Sequence, residues 1–593
     1  MKAKRYISAA LLSVLALGAC KKSYLDKPIT GALLPQYLQT EAGANQLLVG
    51  AYAALDGQQG GDAAIGGGGA WEASPDNWIY GGVVGGDAHK GSIAGDQQQI
   101  EPMAKYIADP SNGFFNSKWR ADYEGISRVN NTIKATNAIP SITDAAKTNI
   151  LAQARFLRAH YYFDLKKMFN MVPYVDETTV NVNQPNNADI WPKIEADFKY
   201  AYDNLPITQS EVGRANKWAA GAYLAKTYLY EHKYTDAKPI FDAVIAQGVT
   251  PAGQKYALNA HFNDNFRTAT NNSAESVFAV QAAANTDPNG PSNANNGDML
   301  NFPYGNSSPF SCCGFYQPTI DLANHFRTNP TTGLPYLDDY NSHAIKTDIG
   351  IPSSADFTLD AGTIDPRLDW TVGRRGIPYL DWGNHPGADW VRDQKFGGPY
   401  SPIKNVYGQA EQDVNGDNTS WAPGSGINYN LIRYADVLLM AAEVEAQLGN
   451  LDKAESYVNI VRNRAADPTG FVHTYKDESK PTSGFTTNPA ANYKVSPYPG
   501  GAFSSQAFAL KAIYFERKIE LAMEGHRFFD LVRWGIADTE LNAYIAYEST
   551  LTNDLNGGKF IKGKSEYYPI PLSQIDLSSS GGTPQLKQNP GYH

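Results

Sequence analysis

The chain has 593 residues, of which 42% are hydrophobic, 12% aromatic and 19% charged, with a formal net charge of −10. That balance repels phosphate backbones, so nucleic acid is excluded as a partner, and beyond the first twenty residues no uncharged apolar run approaches the roughly 20 residues that a membrane helix needs. No long Pro/Ser linker or charge run divides the chain, which reads as one large body with insertions.

In chain order, Lys2, Lys4 and Arg5 precede an apolar stretch, Ile7 to Leu17, too short to span a bilayer. Leu17-Gly18-Ala19-Cys20 closes it with small residues and a cysteine. Residues 1–19 read as a signal peptide, and the ending resembles a bacterial lipobox. The resemblance implies cleavage before Cys20 and acylation of its thiol and of the new amino terminus, and two acyl chains suffice for stable anchoring. Residues 20–593 would then be an exported, membrane-tethered body, its charge moved to −13 by the loss of those three cations from −10.

Next comes a loop-rich zone, about 56–113, holding Trp71, Asp76, Asn77, Trp78 and Tyr80. Helical periodicity follows over about 120–247. One helix puts Leu151, Ala154, Leu157, Tyr161, Leu165 and Met168 on a face, and a second around Ile194 to Tyr202 ends at Pro206. A further pair runs through Trp218, Ala222, Ala225 and Tyr228, turns at His232-Lys233, and resumes with Ala237 four residues before Phe241. From about 248 to 429 the pattern dissolves into Gly, Asn, Pro and aromatic residues, including Tyr304, Phe315, Tyr316, Arg374 and Trp382. Helices return over about 430–535, with a stop at Gly449-Asn450, and a Pro-rich tract, 566–593, closes the chain. The small-then-large spacing resembles tetratricopeptide repeats. The expected fold is mostly α, a solenoid of helix pairs with a large irregular insertion. Long irregular segments in compact domains are usually functional, and this one is too aromatic for disorder.

Several motifs fail on context. Gly558 to Ser565, GKFIKGKS, fits the phosphate-loop pattern, yet the preceding residues are polar and Pro569 and Pro571 prevent the helix that a phosphate loop opens. No G-x-S-x-G elbow, H-E-x-x-H helix or paired-cysteine ligand set occurs. A glycosidase is harder to exclude, because its two carboxylates leave no short motif. Asp413, Asn415 and Asp417 alternate like the ligands of a calcium loop, but the downstream Glu is missing at the right distance, so a polar turn is the first reading and structural calcium the alternative. Cys312 and Cys313 are adjacent, and in an oxidising compartment they either form a vicinal disulfide, a rigid apolar knuckle, or stay two free thiols.

The C-terminal half is more specific. Arg433-Tyr434-Ala435-Asp436-Val437-Leu438-Leu439-Met440-Ala441-Ala442-Glu443, the run Glu516 to Gly535 (ERKIELAMEGHRFFDLVRWG), and the ending Tyr568-Pro569-Ile570-Pro571 with Gln588-Asn589-Pro590-Gly591-Tyr592 resemble the SusD/RagB family of bacterial nutrient-uptake lipoproteins. Arg155 to Leu165 and Gly383 to Trp390 also look familial. The resemblance implies a non-catalytic, glycan-binding lipoprotein of the outer membrane, facing the cell exterior and acting as a lid on a SusC-type TonB-dependent transporter. It implies that Glu516, Arg517, Glu520, Glu524 and Arg527 pair between helices. Lys21 and Lys22 depart from the acidic residues that often follow the lipid cysteine in such proteins.

Sugars offer C–H patches and a hydroxyl rim, so a glycan site needs flat rings beside amides, carboxylates or guanidinium groups. On that chemistry the expected contacts are Trp71, Asp76, Asn77, Trp78, Tyr80, Tyr304, Phe315, Tyr316, Arg374 and Trp382. Trp78→Ala is expected to weaken glycan retention without changing the melting temperature. The alternatives are a surface glycosidase on the same scaffold, a structural transporter lid, and a peptide binder.

Overall fold

A computed structural model describes residues 39–57, 69–287 and 293–592; Cys20 and the signal segment lie outside the described residues. The body is mostly helical. Its principal helices are α1 (Glu41–Ala53), α2 (Gly113–Asn137), α3 (Asp144–Phe169), α4 (Trp191–Asn204), α5 (Lys217–Tyr230), α6 (Tyr234–Gln247), α7 (Tyr434–Gln447), α8 (Leu451–Ala465), α9 (Gln506–Glu520), α10 (Arg527–Arg533) and α11 (Ala537–Glu548). Side-chain caps set several starts. Thr40 and Thr143 hydroxyls accept from Gly43 and Ala146 N–H, and the Asn216 amide oxygen accepts from Trp218 and Ala219 at 3.1 and 2.9 Å. Gly449, at φ +82°, ends α7 in the left-handed conformation that costs glycine nothing.

From α2 to α6 each helix packs on the next, and α6 then packs directly on α7, which carries α8 and α9. The insertion is thus looped out of one continuous helical stack. Strands fasten it back. β1 (Ala88–Gly91) pairs antiparallel with β3 (Phe315–Pro318), and β2 (Ser276–Val280) pairs with β6 (Tyr429–Arg433), which leads straight into α7. A short hairpin, β4 (Gly416–Asp417) with β5 (Gly424–Ser425), lies between them. The insertion also has its own apolar core of Phe302, Phe310, Tyr379, Trp390, Ile403, Val406 and Tyr407, separate from the main one.

The familial charged residues join insertion to stack. Arg433 binds Glu275, Glu520 and Glu524; Arg367 binds Asp365, Glu516 and Glu520; Arg464 reaches Glu275 and Glu520; and Lys404 binds Glu524. Arg517 binds Asp436 and Asp530, while Arg527 reaches only the half-exposed Glu540 at 3.4 Å. Except for that last pair these groups are buried, and buried charges persist only when paired.

A second buried cluster fixes β1. His89 Nδ1 is 2.8 Å from Asp554 and Nε2 is 3.0 Å from Glu548, whose oxygens also accept the Ile320 and Asp321 N–H groups. Both ring nitrogens face carboxylates, so the ring is held as an imidazolium. Burial opposes that charge, but Asp554 and then Glu548 outweigh it and push the His89 pKa up to about 10 from 6.5. A raised folded-state pKa gives stability that is complete below pH 6.5 and is lost as pH climbs through about 10. The urea midpoint of the wild type should therefore fall between pH 6.5 and 10, and that of His89→Asn should start lower and fall less. Parallel curves would remove His89 as the cause.

Candidate functional site

The hairpin β4–β5 presents Trp421, whose side chain is the most exposed large ring of the insertion at 65%. The hairpin is pinned from below. Asp417 accepts the Asn285 N–H at 2.8 Å and both the N–H and hydroxyl of Thr419, Asn285 donates to the Gly416 carbonyl at 2.9 Å, and Asn295 pairs with Ser425. Asp417 therefore works as a turn cap, Asp413 lies exposed in a short helix, and Asn415 donates to Glu411. The three oxygen residues do not converge as a calcium cage. Among the described residues no cluster of three or more His, Cys, Asp or Glu side chains could hold a metal ion.

Trp421 meets Trp71 with ring centroids 6.2 Å apart and planes at 75°. Trp71 is half-buried and folds back over Gly69, where a Cβ would come within 2.2 Å of the indole, so the ring's position depends on glycine. Its Nε1 donates to the Gln97 amide oxygen at 3.2 Å. Glu72 stays with the protein, accepting from Gly69 N–H at 3.1 Å and the Ser117 hydroxyl at 2.6 Å. Next to Gln97, Asp96 pairs with Arg392, which also donates to Ser92 at 2.7 Å and lies over the Tyr304 ring, 5.4 Å from its centroid. The Tyr304 carbonyl stands beside Gly314, just after Cys312 and Cys313, whose Cα atoms are 3.1 Å apart with their sulfurs in bonding contact. Trp421, Trp71, Gln97, Asp96, Arg392 and Tyr304 thus follow one another along a strip. The exposed Trp421 ring and the half-buried Trp71 and Tyr304 rings stand there among amide, carboxylate and guanidinium groups.

The other expected contacts lie inside the protein. Trp78 is 1% exposed, its Nε1 donates to the Gly297 carbonyl at 3.1 Å, and its ring packs on Phe315 and Tyr316. Tyr80 is buried with its hydroxyl donating to the Glu72 and Phe114 carbonyls. Asn77, at φ +54°, holds Asp164, and Asp76 accepts from the Ser74 hydroxyl at 2.6 Å and the Trp78 N–H at 3.0 Å. Burial and the neighbouring Asp298 push the Asp76 carboxyl well above the usual range. Asp76 and Tyr316 line a small cavity of about 40 Å³, far below the several hundred Å³ of ordinary ligand pockets. Phe315 is buried in β3, and Arg374 is buried against Asp369 at 2.6 Å. Trp382 is half-buried, donating to the Tyr407 carbonyl at 2.9 Å and packing on Phe310. No ring face of Trp78, Tyr80, Phe315 or Tyr316 is open to a ligand.

Of the expected residues the strip brings together Trp71 and Tyr304. Trp421, Gln97, Asp96 and Arg392 were not anticipated. The available signal was Trp421 in Ser420-Trp421-Ala422-Pro423-Gly424, a large ring in a turn sequence with no apolar neighbours of its size.

The helical stack thus carries a separately cored, loop-built face that presents the Trp421 ring beside polar groups. The SusD family profile matches residues 274–592, and that of a starch-binding family associating with the outer membrane matches residues 85–229. The chain belongs to the SusD family. A SusD-like protein of Bacteroides ovatus is 25% identical over 503 residues, covering 78% of this chain and 76% of that protein. The crystal structure of a SusD superfamily protein from Bacteroides vulgatus shares the fold with a TM-score of 0.65 at 21% identity, covering 93% of this chain and 99% of its own. Surface glycan-binding protein A from Bacteroides thetaiotaomicron, solved in complex with laminarihexaose, matches with a TM-score of 0.59 at 19% identity over 92% and 98%.

Proposed function

We propose that this protein binds a glycan at the cell surface and delivers it to a SusC-type TonB-dependent transporter of the outer membrane, tethered there through lipid on Cys20 and facing the exterior. The observation that carries the reading is the exposed Trp421 ring, fixed at an angle to Trp71 beside the hydrogen-bonding groups of Gln97, Asp96 and Arg392. Family membership and the laminarihexaose complex of a protein with the same fold support it. Among the described residues no helix is long and apolar enough to cross a membrane. We read the strip as binding rather than catalytic: Asp96 pairs with Arg392 and Glu72 accepts from Gly69 and Ser117. Incubation with a panel of polysaccharides tests the reading. The expected result is gel retardation on at least one glycan with unchanged chain length; shortened chains would replace the binder with an enzyme.

A further inference from the structure

Three of the stretches of chain that build the strip contain no lysine or arginine. None occurs from Pro28 to His89, which holds Trp71; none from Thr268 to Phe326, which holds Tyr304 and the cysteine pair; and none from Asn405 to Ile432, which holds Trp421. At the chain's average of 50 Lys and Arg in 593 residues, stretches of that combined length would carry about a dozen. The same stretches keep their carboxylates, with Glu72 next to Trp71 in the chain and Glu411, Asp413 and Asp417 leading into the Trp421 hairpin. Two cations reach the strip from other segments, but the Arg392 guanidinium is engaged by Asp96, Ser92 and the Tyr304 ring, and Lys90, on the segment of Asp96 and Gln97, is buried with its ammonium donating to the Ile93 and Asp96 carbonyls.

Proteins that hold sulfate, phosphate or carboxylate groups do so with clustered Arg and Lys, whose charge-assisted hydrogen bonds offset the desolvation of the anion. This face lacks that apparatus. A uronate or sulfate laid across Trp421 and Trp71 would come close to carboxylates with no free counter-charge, within the ~10 Å over which charges act at 0.1 M salt. Neutral hydroxyls meet the opposite situation, since each can donate to a carboxylate or an amide oxygen. We infer that the face takes an uncharged glycan and rejects polysaccharides bearing uronate or sulfate groups. The inference rests on the reading that this strip is the glycan site.

The test is native affinity electrophoresis of the mature chain and of Trp421→Ala in gels containing laminarin, mannan or xylan, and in gels containing polygalacturonate, alginate or chondroitin sulfate, at 20 and 200 mM NaCl. The expected result is retardation by at least one neutral polymer that Trp421→Ala weakens at least tenfold. Retardation by every acidic polymer should be at least tenfold weaker than by that neutral one and no stronger at the lower salt. Trp421-dependent retardation by an acidic polymer that matches the neutral one would overturn the charge selectivity while leaving the glycan site intact. No retardation on any gel would overturn the glycan site, and the selectivity with it.

Discussion

Glu520→Gln is expected to lower the folding free energy by about 3–5 kcal/mol as measured by the urea midpoint at pH 7. The Glu520 carboxylate is fully buried and accepts from Arg367 at 2.8 Å, from Arg433 at 2.6 Å and from Arg464. An amide of the same shape retains hydrogen-bonding capacity but removes the negative charge that three guanidinium groups share, and a buried cation left short of its counter-charge costs far more than a surface pair returns. Burial alone would raise the acid's pKa; Arg464, Arg433 and Arg367 outweigh it and hold the carboxyl well below the usual carboxylate range. A depressed folded-state pKa gives stability that is present above the unfolded value of about 4.5 and is lost as pH falls below it. The wild type should thus lose more stability than Glu520→Gln between pH 5 and pH 3. A variant with a wild-type midpoint and the same acid slope would show that the network does not hold the insertion to the stack.

That network explains how much of the fold was legible. The 3.6-residue periodicity of Leu151 to Met168 or Arg433 to Leu448 marks a helix but understates its burial, since every residue from Phe156 to Lys166 and from Tyr434 to Ala446 is buried and these helices are enclosed on all sides. The pairing of Glu516, Arg517, Glu520 and Glu524 between elements follows in the sequence from the family resemblance, and Arg367, Asp436, Arg433 and Lys404 supply the partners. The site was less legible, and Asp76, Asn77 and Trp78 show why. Polar neighbours made the Trp78 ring look like part of a binding surface, yet Asp76 turns inward to the Trp78 N–H and Asn77 to Asp164, so the same groups that could hold a sugar are spent on local structure. Composition does not distinguish a hydroxyl-binding amide from a capping one. Trp421 escaped for the converse reason, since a ring on a six-residue hairpin loop belongs to no periodic pattern and only the hairpin's anchorage to Asn285 and Asn295 shows that it is held in place.

Trp421→Ala should then separate binding from folding. The indole is mostly exposed, so its removal falls in the class of surface changes worth within about 0.5 kcal/mol of stability, and the unfolding midpoint should stay where it is. Its open face is the largest apolar platform on the strip, and a ring that anchors a ligand is typically worth about 2 kcal/mol when truncated, about thirtyfold in Kd. Trp421→Phe keeps a flat face and should recover part of that loss. Trp78→Ala gives the opposite pattern, because deleting a ring buried against Phe315 and Tyr316 leaves a cavity costing about 3–5 kcal/mol, and any loss of glycan binding would follow from loss of structure. Trp71→Ala should fall between them, weakening binding and lowering stability together, since the ring both faces Trp421 and packs over Gly69. If Trp421→Ala migrated like the wild type on every glycan that retards the parent, the strip would lose its central contact, and the search would move to surfaces that this hairpin does not touch.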